Sequence, residues 1–264
     1  MPDFCKFHGT GNDFILLDGR KNKLRVDAQT IASLCNRHTG IGADGLIVVA
    51  PHENCTFEMI YYNADGSPAT MCGNGARCAV AFAYMNNIAG PHCDFMAGDG
   101  RHEAFIVKVS PNEWVVGITM RDVEAPAGSG DSTEINTGTP HLVMIVEDTA
   151  NTDVFACGRE IRYSEKYRDS GTNIDWMSFE NGKIRVRTYE KGVENETLSC
   201  GTGVTACAIV AALHTGRNEW DVITPGGLLN VSMVKKGKLF TNIWLKGPAT
   251  FVFSGDIAMI DVKL

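Results

Sequence analysis

Most of the signatures by which a chain announces its chemistry are missing from these 264 residues. There is no GxSxG, the usual mark of a serine hydrolase, and no GxxxxGK[ST] phosphate loop. No CxxC occurs and the seven histidines never pair at i, i+4, so no metal site is expected. Basic residues are few, 24 against 31 acidic for a formal charge of −7, and they form no dense cluster. Nucleic acid and anionic membrane are therefore not expected as partners. The first residues, MPDFCKFHGTGNDF, hold no apolar run of signal-peptide length, and no stretch approaches the roughly 18 apolar residues of a spanning helix. A cytoplasmic protein is the expectation.

Cysteine is not scarce, but its nine copies are odd in number and irregularly spaced in a chain 44% hydrophobic, long enough to bury a core. Free thiols are expected rather than a disulfide frame. Gly40, Gly42 and Gly45 fit GxGxxG, yet a helical stretch (27–38) precedes them and an apolar strand (46–49) follows. That order is the reverse of a dinucleotide site.

An internal echo is the most informative feature present. Cys72 to Ala81 (CGNGARCAVA) returns as Cys200 to Ile209 (CGTGVTACAI), an offset of 128 residues between leading cysteines at 72 and 200. A weaker likeness links Gly9 to Asp13 (GTGND) with Gly171 to Asp175 (GTNID). Both Cys-Gly-x-Gly turns lead into runs that are apolar on nearly every face, through Met85 and through Leu213, and such helices must be buried all round. Much of the rest reads as strand: 14–17, 57–62, 104–109, 142–146, 184–189, 228–234 and 239–245. The expected class is α+β, with two pseudo-symmetric lobes, each a curved, mainly antiparallel sheet or barrel wrapped around a central helix. The lobes are expected at 1–118, completed by 254–264, and at 119–253. Their boundary lies near the turn-rich Met120 to Ser132, and Gly247-Pro248 marks a late break.

The bland reading of a cysteine is a small buried hydrophobe, and it suits Cys5, Cys35, Cys55, Cys93 and Cys157; Cys78 and Cys207 belong inside their helices. Cys72 and Cys200 differ, because each stands where a glycine-rich turn opens a helix. Amide N–H groups and the positive dipole end then lie beside the sulfur and favour thiolate relative to the ordinary pKa of about 8.5. The glycines let a ligand approach the backbone, whose amides can hold a carboxylate. Two such turns suit stereochemical inversion at a carbon acid: one group removes a proton from one face while another delivers a proton to the opposite face. The facing dipoles would stabilise the charge that develops on the carboxylate.

With these motifs the chain resembles the diaminopimelate epimerase family over nearly its whole length. The resemblance is carried by His8 to Phe14 (HGTGNDF), Thr39 to Leu46 (TGIGADGL), Asn63 to Ser67 (NADGS), Met71 to Cys78 (MCGNGARC), Thr139 to His141 (TPH), Gly171 to Asn173 (GTN), Tyr189 to Val193 (YEKGV) and Thr197 to Gly203 (TLSCGTG). It implies that family's fold and the interconversion of LL- and meso-diaminopimelate by a cytoplasmic homodimer acting on a small amino acid, with neither metal nor pyridoxal. On that footing Cys72 and Cys200 are the acid/base pair, and the amides of Gly73, Asn74, Gly201 and Thr202 hold the reacting carboxylate. Asn12, Asn63 and Asn173 contact the substrate's amino and carboxylate groups, Glu190 receives an ammonium, and His141 tunes the site. Read without the resemblance, Asn12 and Asn63 are turn formers and Glu190 and His141 are unremarkable.

Two positions depart from the family's common pattern. Thr139 stands where Asn is usual, and Lys191 where an Arg grips the distal carboxylate; Lys is a point charge without the planar two-pronged grip. The segment from Glu190 to Cys200 is one residue longer than in some members. Proline racemases share the two-cysteine logic but carry histidine at the position of Asn74, and phenazine-type isomerases lack the cysteine pair. The alternatives are a racemase of another amino acid, of proline or hydroxyproline type, and a non-catalytic small-molecule binder.

Overall fold

The computed structural model describes residues 3–20, 27–126, 128 and 130–257. The chain divides into two compact units, Met1–Ile118 with Gly247–Leu264, and Thr119–Lys246. In order, the first part of the chain forms β1 (Phe4–Gly9), β2 (Asn12–Asp18), α1 (Ala28–Cys35), β3 (Gly45–Ala50), β4 (Phe57–Asn63), β5 (Pro68–Ala69), α2 (Gly73–Met85), β6 (His92–Ala97), β7 (Gly100–Ser110) and β8 (Glu113–Met120). The rest forms β9 (Val123–Glu124), β10 (Ser132–Asn136), β11 (Pro140–Ile145), α3 (Val154–Arg162), β12 (Asn173–Glu180), β13 (Lys183–Glu190), β14 (Asn195–Thr197), α4 (Gly201–Thr215), β15 (Glu219–Thr224), β16 (Gly227–Lys236) and β17 (Leu239–Gly255).

Strand pairing repeats from one unit to the other. β1–β2 is antiparallel, β2–β3 parallel, β3–β4 antiparallel, β4–β6 parallel and β6–β7 antiparallel. The same sequence runs β10–β11, β11–β12, β12–β13, β13–β15 and β15–β16. The starts of β1 and β10, at 4 and 132, of β2 and β11, at 12 and 140, of β3 and β12, at 45 and 173, and of α2 and α4, at 73 and 201, are each 128 residues apart. At that offset Asn12 corresponds to Pro140 and Asn173 to Gly45, so the GTGND and GTNID likeness is not part of the repeat. It joins the β1–β2 turn to the entrance of β12, which are different places in the topology.

Each unit folds around its apolar helix. Residues 73–83 of α2 are all buried, and it packs against β1, β2, β3, β4 and β7. Residues 203–212 of α4 are all buried, and it packs against β10 to β13, β15 and β16. Burial on every side accounts for the absence of a polar stripe on either helix. The α+β fold of sheet wrapped on a central helix is as the sequence suggests. α1 falls in the helical stretch expected at 27–38, whereas α3 is not among the expected elements; Ile31 and Leu34 pack with Ile15, Leu46 and Val48, and Val154 packs with Ile174, Trp176 and Tyr189.

The expected break at Gly247-Pro248 is not a break. β17 runs through both residues for 17 positions, and the second segment of the first unit begins at Gly247. Pro248 brings no N–H to the ladder, but its carbonyl accepts a hydrogen bond from Arg77 Nε at 3.3 Å. Of the expected closing segment, 258–264 lie outside the described residues, as do 127 and 129 of the expected link. Of the cysteines expected buried, Cys157 is exposed on α3 and Cys55 and Cys93 are half-buried.

Candidate active site

The first cluster is built on a tight turn and a helix start. β1 and β2 are joined by two residues, Thr10 (φ 50°) and Gly11 (φ 87°), the twist a two-residue hairpin requires. The turn delivers Asn12 at the first position of β2. Cys72 is the N-cap of α2, and its sulfur accepts from the Gly75 N–H at 3.5 Å, while its thiol lies 3.7 Å from Asn12 Oδ1. Asn74, 1% exposed, donates to the same Asn12 oxygen at 3.5 Å. Asn12 in turn donates to Asp44 Oδ2 at 2.6 Å. The amides of Gly73 and Asn74 stand at the positive end of α2. Asn63, at the end of β4, donates to Ser67 Oγ at 3.1 Å across the turn that Gly66 (φ 83°) makes possible. A Cβ there would come within 2.2 Å of the Ala28 carbonyl.

Beside this cluster a hollow of about 450 Å³ is lined by Lys6, His8, Asp13, Arg37 and Phe253 among others, and by neither candidate cysteine. Its cations are matched by acids, Lys6 and Arg37 with Asp13 and Arg37 with Asp44.

The second cluster is a chain of hydrogen bonds ending at a sulfur. Parallel register sets His141 of β11 beside Asn173 of β12. Asp175, two positions along on the same face of β12, takes His141 Nδ1 on Oδ2 at 2.6 Å, with both side chains fully buried. Thr188 Oγ1 donates to its other oxygen at 2.7 Å. His141 Nε2 lies 3.0 Å from Thr202 Oγ1 and 3.0 Å from Thr139 Oγ1, and Thr202 Oγ1 lies 3.4 Å from Cys200 Sγ. An unbroken path therefore runs Asp175, His141, Thr202, Cys200. Gly203 makes room for it, since a Cβ there would stand 2.4 Å from Asp175 Oδ1.

Asn173 donates to Thr139 Oγ1 at 3.2 Å and accepts from the Lys191 N–H at 2.8 Å. Glu190 Oε2 accepts from Thr197 Oγ1 at 2.9 Å. The amides of Gly201 and Thr202 open α4 as those of Gly73 and Asn74 open α2. The Lys191 ammonium, expected toward a distal carboxylate, folds over Gly171 and donates to the Ser170 carbonyl at 2.8 Å.

One expectation is reversed. A helix start should lower a thiol pKa, but that of Cys200 is pushed well above the ordinary range. Burial is the main cause, and the negative charges of Glu190 and Asp175 add to it, outweighing the hydrogen bonds from Thr202 and the Gly203 amide. The sequence reading also passed over Asp175, Thr10 and Arg77. Asp175 had a signal, a polar residue at an inward position of an apolar strand, and Arg77 had another, a charge inside a helix apolar all round. Among the described residues no group of three or more His, Cys, Asp or Glu side chains could hold a metal ion. No helix among them is long and apolar enough to cross a membrane.

The fold is that of a class of proteins that includes a probable proline racemase and a phenazine biosynthesis protein. The chain aligns over 98% of its length with a probable proline racemase from Agrobacterium radiobacter at TM-score 0.71, covering 94% of that chain at 14% identity. It aligns likewise with a phenazine biosynthesis protein from Bacillus anthracis at TM-score 0.68, covering 99% of that chain at 13% identity. These likenesses define the fold alone. Within that class, the family model for diaminopimelate epimerase matches residues 4–114 and 133–252. Diaminopimelate epimerases from Flavobacterium psychrophilum and a Hydrogenobaculum species are 44% and 39% identical, over 96% of this chain and 98% and 97% of theirs. The chain belongs to the diaminopimelate epimerase family and is an enzyme of the isomerase class.

Proposed function

We propose that this enzyme interconverts LL- and meso-diaminopimelate without a cofactor, Cys72 and Cys200 exchanging the α-proton. The observation that carries the reading is the repeat of one device: a cysteine at the N-cap of a buried central helix, in two units of matching topology. A thiolate removes the α-proton from one face and becomes a thiol, leaving a carbanion delocalised into the carboxylate. The other thiol protonates the opposite face and becomes a thiolate. The amides of Gly73, Asn74, Gly201 and Thr202 are suited to hold that carboxylate, where helix dipoles oppose the developing charge. Asn12, Asn63, Asn173 and Glu190 are assigned to the amino and carboxylate groups. His141 orients Thr202 and, through it, the Cys200 sulfur. The family resemblance also supports a cytoplasmic homodimer.

A second reading keeps the chemistry and changes the substrate. It is favoured by Lys191, whose ammonium is engaged by Ser170 while Thr139 replaces the usual Asn. Both readings are tested by incubating the purified protein with LL-diaminopimelate in D₂O and following deuterium at the α-carbon. Uptake with meso product, absent in Cys72→Ala and Cys200→Ala, supports the first. An inert LL-diaminopimelate beside a proline or hydroxyproline that exchanges supports the second. No exchange in any of them overturns both and leaves a binding protein.

A further inference from the structure

Arg77 sits in α2 five residues beyond Cys72 and is 0% exposed, in a helix otherwise built of small and apolar residues. A guanidinium keeps its charge in proteins, and a buried charge is costly unless an opposite charge compensates it. Its donors go only to neutral oxygens: Asn74 Oδ1 at 2.8 Å, the Gly73 carbonyl at 3.1 Å, Thr10 Oγ1 at 3.2 Å and the Pro248 carbonyl at 3.3 Å. Among the described residues no carboxylate lies within ion-pair distance of it. Burial lowers the Arg77 pKa to about 10, and the groups that oppose that shift when ionised are the thiols of Cys78 and Cys72. Cys78 is wholly buried and its thiol is pushed up by that burial, which leaves Cys72 as the natural counter-charge. Asp13, an acid whose charge acts on Cys78, is held by Lys6 and Arg37.

The second unit does the opposite at the matching place. An offset of 128 from 77 falls on Thr205, whose hydroxyl donates to the Gly201 carbonyl at 2.9 Å, as Arg77 Nη1 donates to that of Gly73. The backbone role is kept and the charge is gone. The carboxylates whose charge acts on the Cys200 thiol are Glu190 and Asp175. The packing around Arg77 is also tight: Thr10 holds a left-handed φ of 50°, rare for a β-branched residue, and a Cβ on Gly9 would come within 2.9 Å of the Asn74 carbonyl.

We propose that Arg77 is a positioning residue whose buried positive charge makes Cys72 the resting thiolate, while Cys200, set among carboxylates, is the resting thiol. The proposal rests on the two-thiol reading above. It fixes the first step for the epimer whose α-proton faces Cys72: Cys72 takes that proton, and the S–H bond of Cys200 breaks to protonate the carbanion on the other face. The enzyme resets when the proton on Cys72 is lost to solvent and one is regained by Cys200.

The test is substrate-free labelling with iodoacetamide from about pH 5 to pH 10, followed by mass mapping of the peptides holding residues 72 and 200. Wild type, Arg77→Lys and Arg77→Met are compared. In wild type the labelling midpoint of Cys72 should lie below that of Cys200. Arg77→Met should raise the Cys72 midpoint by about one pH unit, about tenfold less thiolate near neutrality, and leave Cys200 in place. Arg77→Lys, which keeps the charge, should restore the Cys72 midpoint. A Cys200 midpoint at or below that of Cys72 in wild type overturns the proposal, and this comparison needs no variant to fold. A folded Arg77→Met with an unmoved Cys72 midpoint overturns it as well. Because no substrate is used, the labelling answers independently of whether diaminopimelate exchanges.

Discussion

The two central helices begin alike and are surrounded differently. α2 and α4 start 128 residues apart, each with a cysteine N-cap and glycines at the first and third helical positions. The polar groups near Cys72 include amides, a hydroxyl and a buried guanidinium, with the Asp44 carboxylate beyond Asn12. Around Cys200 they are a histidine, two threonines and carboxylates. A repeated backbone frame therefore does not make two equal thiols. Strand pairing and helix burial depend on apolar spacing and tolerate little change, whereas the few buried charges can diverge. In the two-thiol reaction proposed above, which needs one thiolate and one thiol, that divergence is useful.

The comparison breaks most sharply if one thiol can be spared. Cys72→Ala and Cys200→Ala should each lower α-proton exchange by about 10²- to 10⁴-fold, the worth of a general acid or base; wild-type exchange in either would show that the halves do not act as a pair. Next in size is the buried His141–Asp175 pair, which has no counterpart beside Cys72 among the described residues. Asp175→Asn keeps the volume but removes the anion from a buried pair, and should cost about 3 kcal/mol in urea unfolding. It should also lower the Cys200 labelling midpoint, since Asp175 is one of the charges that holds it up, and leave Cys72 unmoved.

A smaller contrast compares matched glycines. A Cβ on Gly203 would stand 2.4 Å from Asp175 Oδ1, while one on Gly75 would stand 2.9 Å from Cδ1 of Ile47, the far end of a side chain that can turn aside. Gly203→Ala should therefore cost about 1–3 kcal/mol and slow exchange, and Gly75→Ala should cost less. Equal thermal midpoints for the two variants would mean that the Asp175 side is no more tightly built than the other.

Much of this was legible in the sequence for physical reasons. Helices apolar on every face, such as 73–85, leave no choice but a central position, and Cys-Gly-x-Gly marks their starts. Short strands such as 92–97 and 132–136 carry His92, Asp94, Ser132 and Glu134 among apolar residues, and their pattern is too brief to read. The parallel register that brings His141 beside Asn173 joins segments about thirty residues apart, which no local pattern announces. Gly247-Pro248 read as a break because proline cannot donate to a ladder, yet the strand runs on and the Pro248 carbonyl serves Arg77. The fall of the second weak echo has the same origin: similar turn residues serve different places in a topology.

The gentlest test concerns thiols that both units bury. Burial pushes Cys35 and Cys93 in the first unit up to about 11, and raises Cys78 further still. In the second unit Cys200 and Cys207 are raised well above 9.0, again by burial first, with Asp175 contributing to both. A thiol whose folded pKa is raised binds its proton more tightly when folded than when unfolded. Its contribution to stability is then complete below the unfolded value and is lost as pH rises through the folded one. Urea midpoints measured with reductant present should therefore hold to about pH 9 and fall above it. Cys207→Ala should make that fall shallower, because it removes one of the protons the folded state retains, whereas Cys157→Ala, on the exposed face of α3, should leave it unchanged. A wild-type midpoint that stays level from pH 8 to pH 10.5 would mean that the buried thiols ionise in the folded protein as readily as in the unfolded chain. The charge contrast between the two helix starts would then have to be rebuilt on the carboxylates and Arg77 alone.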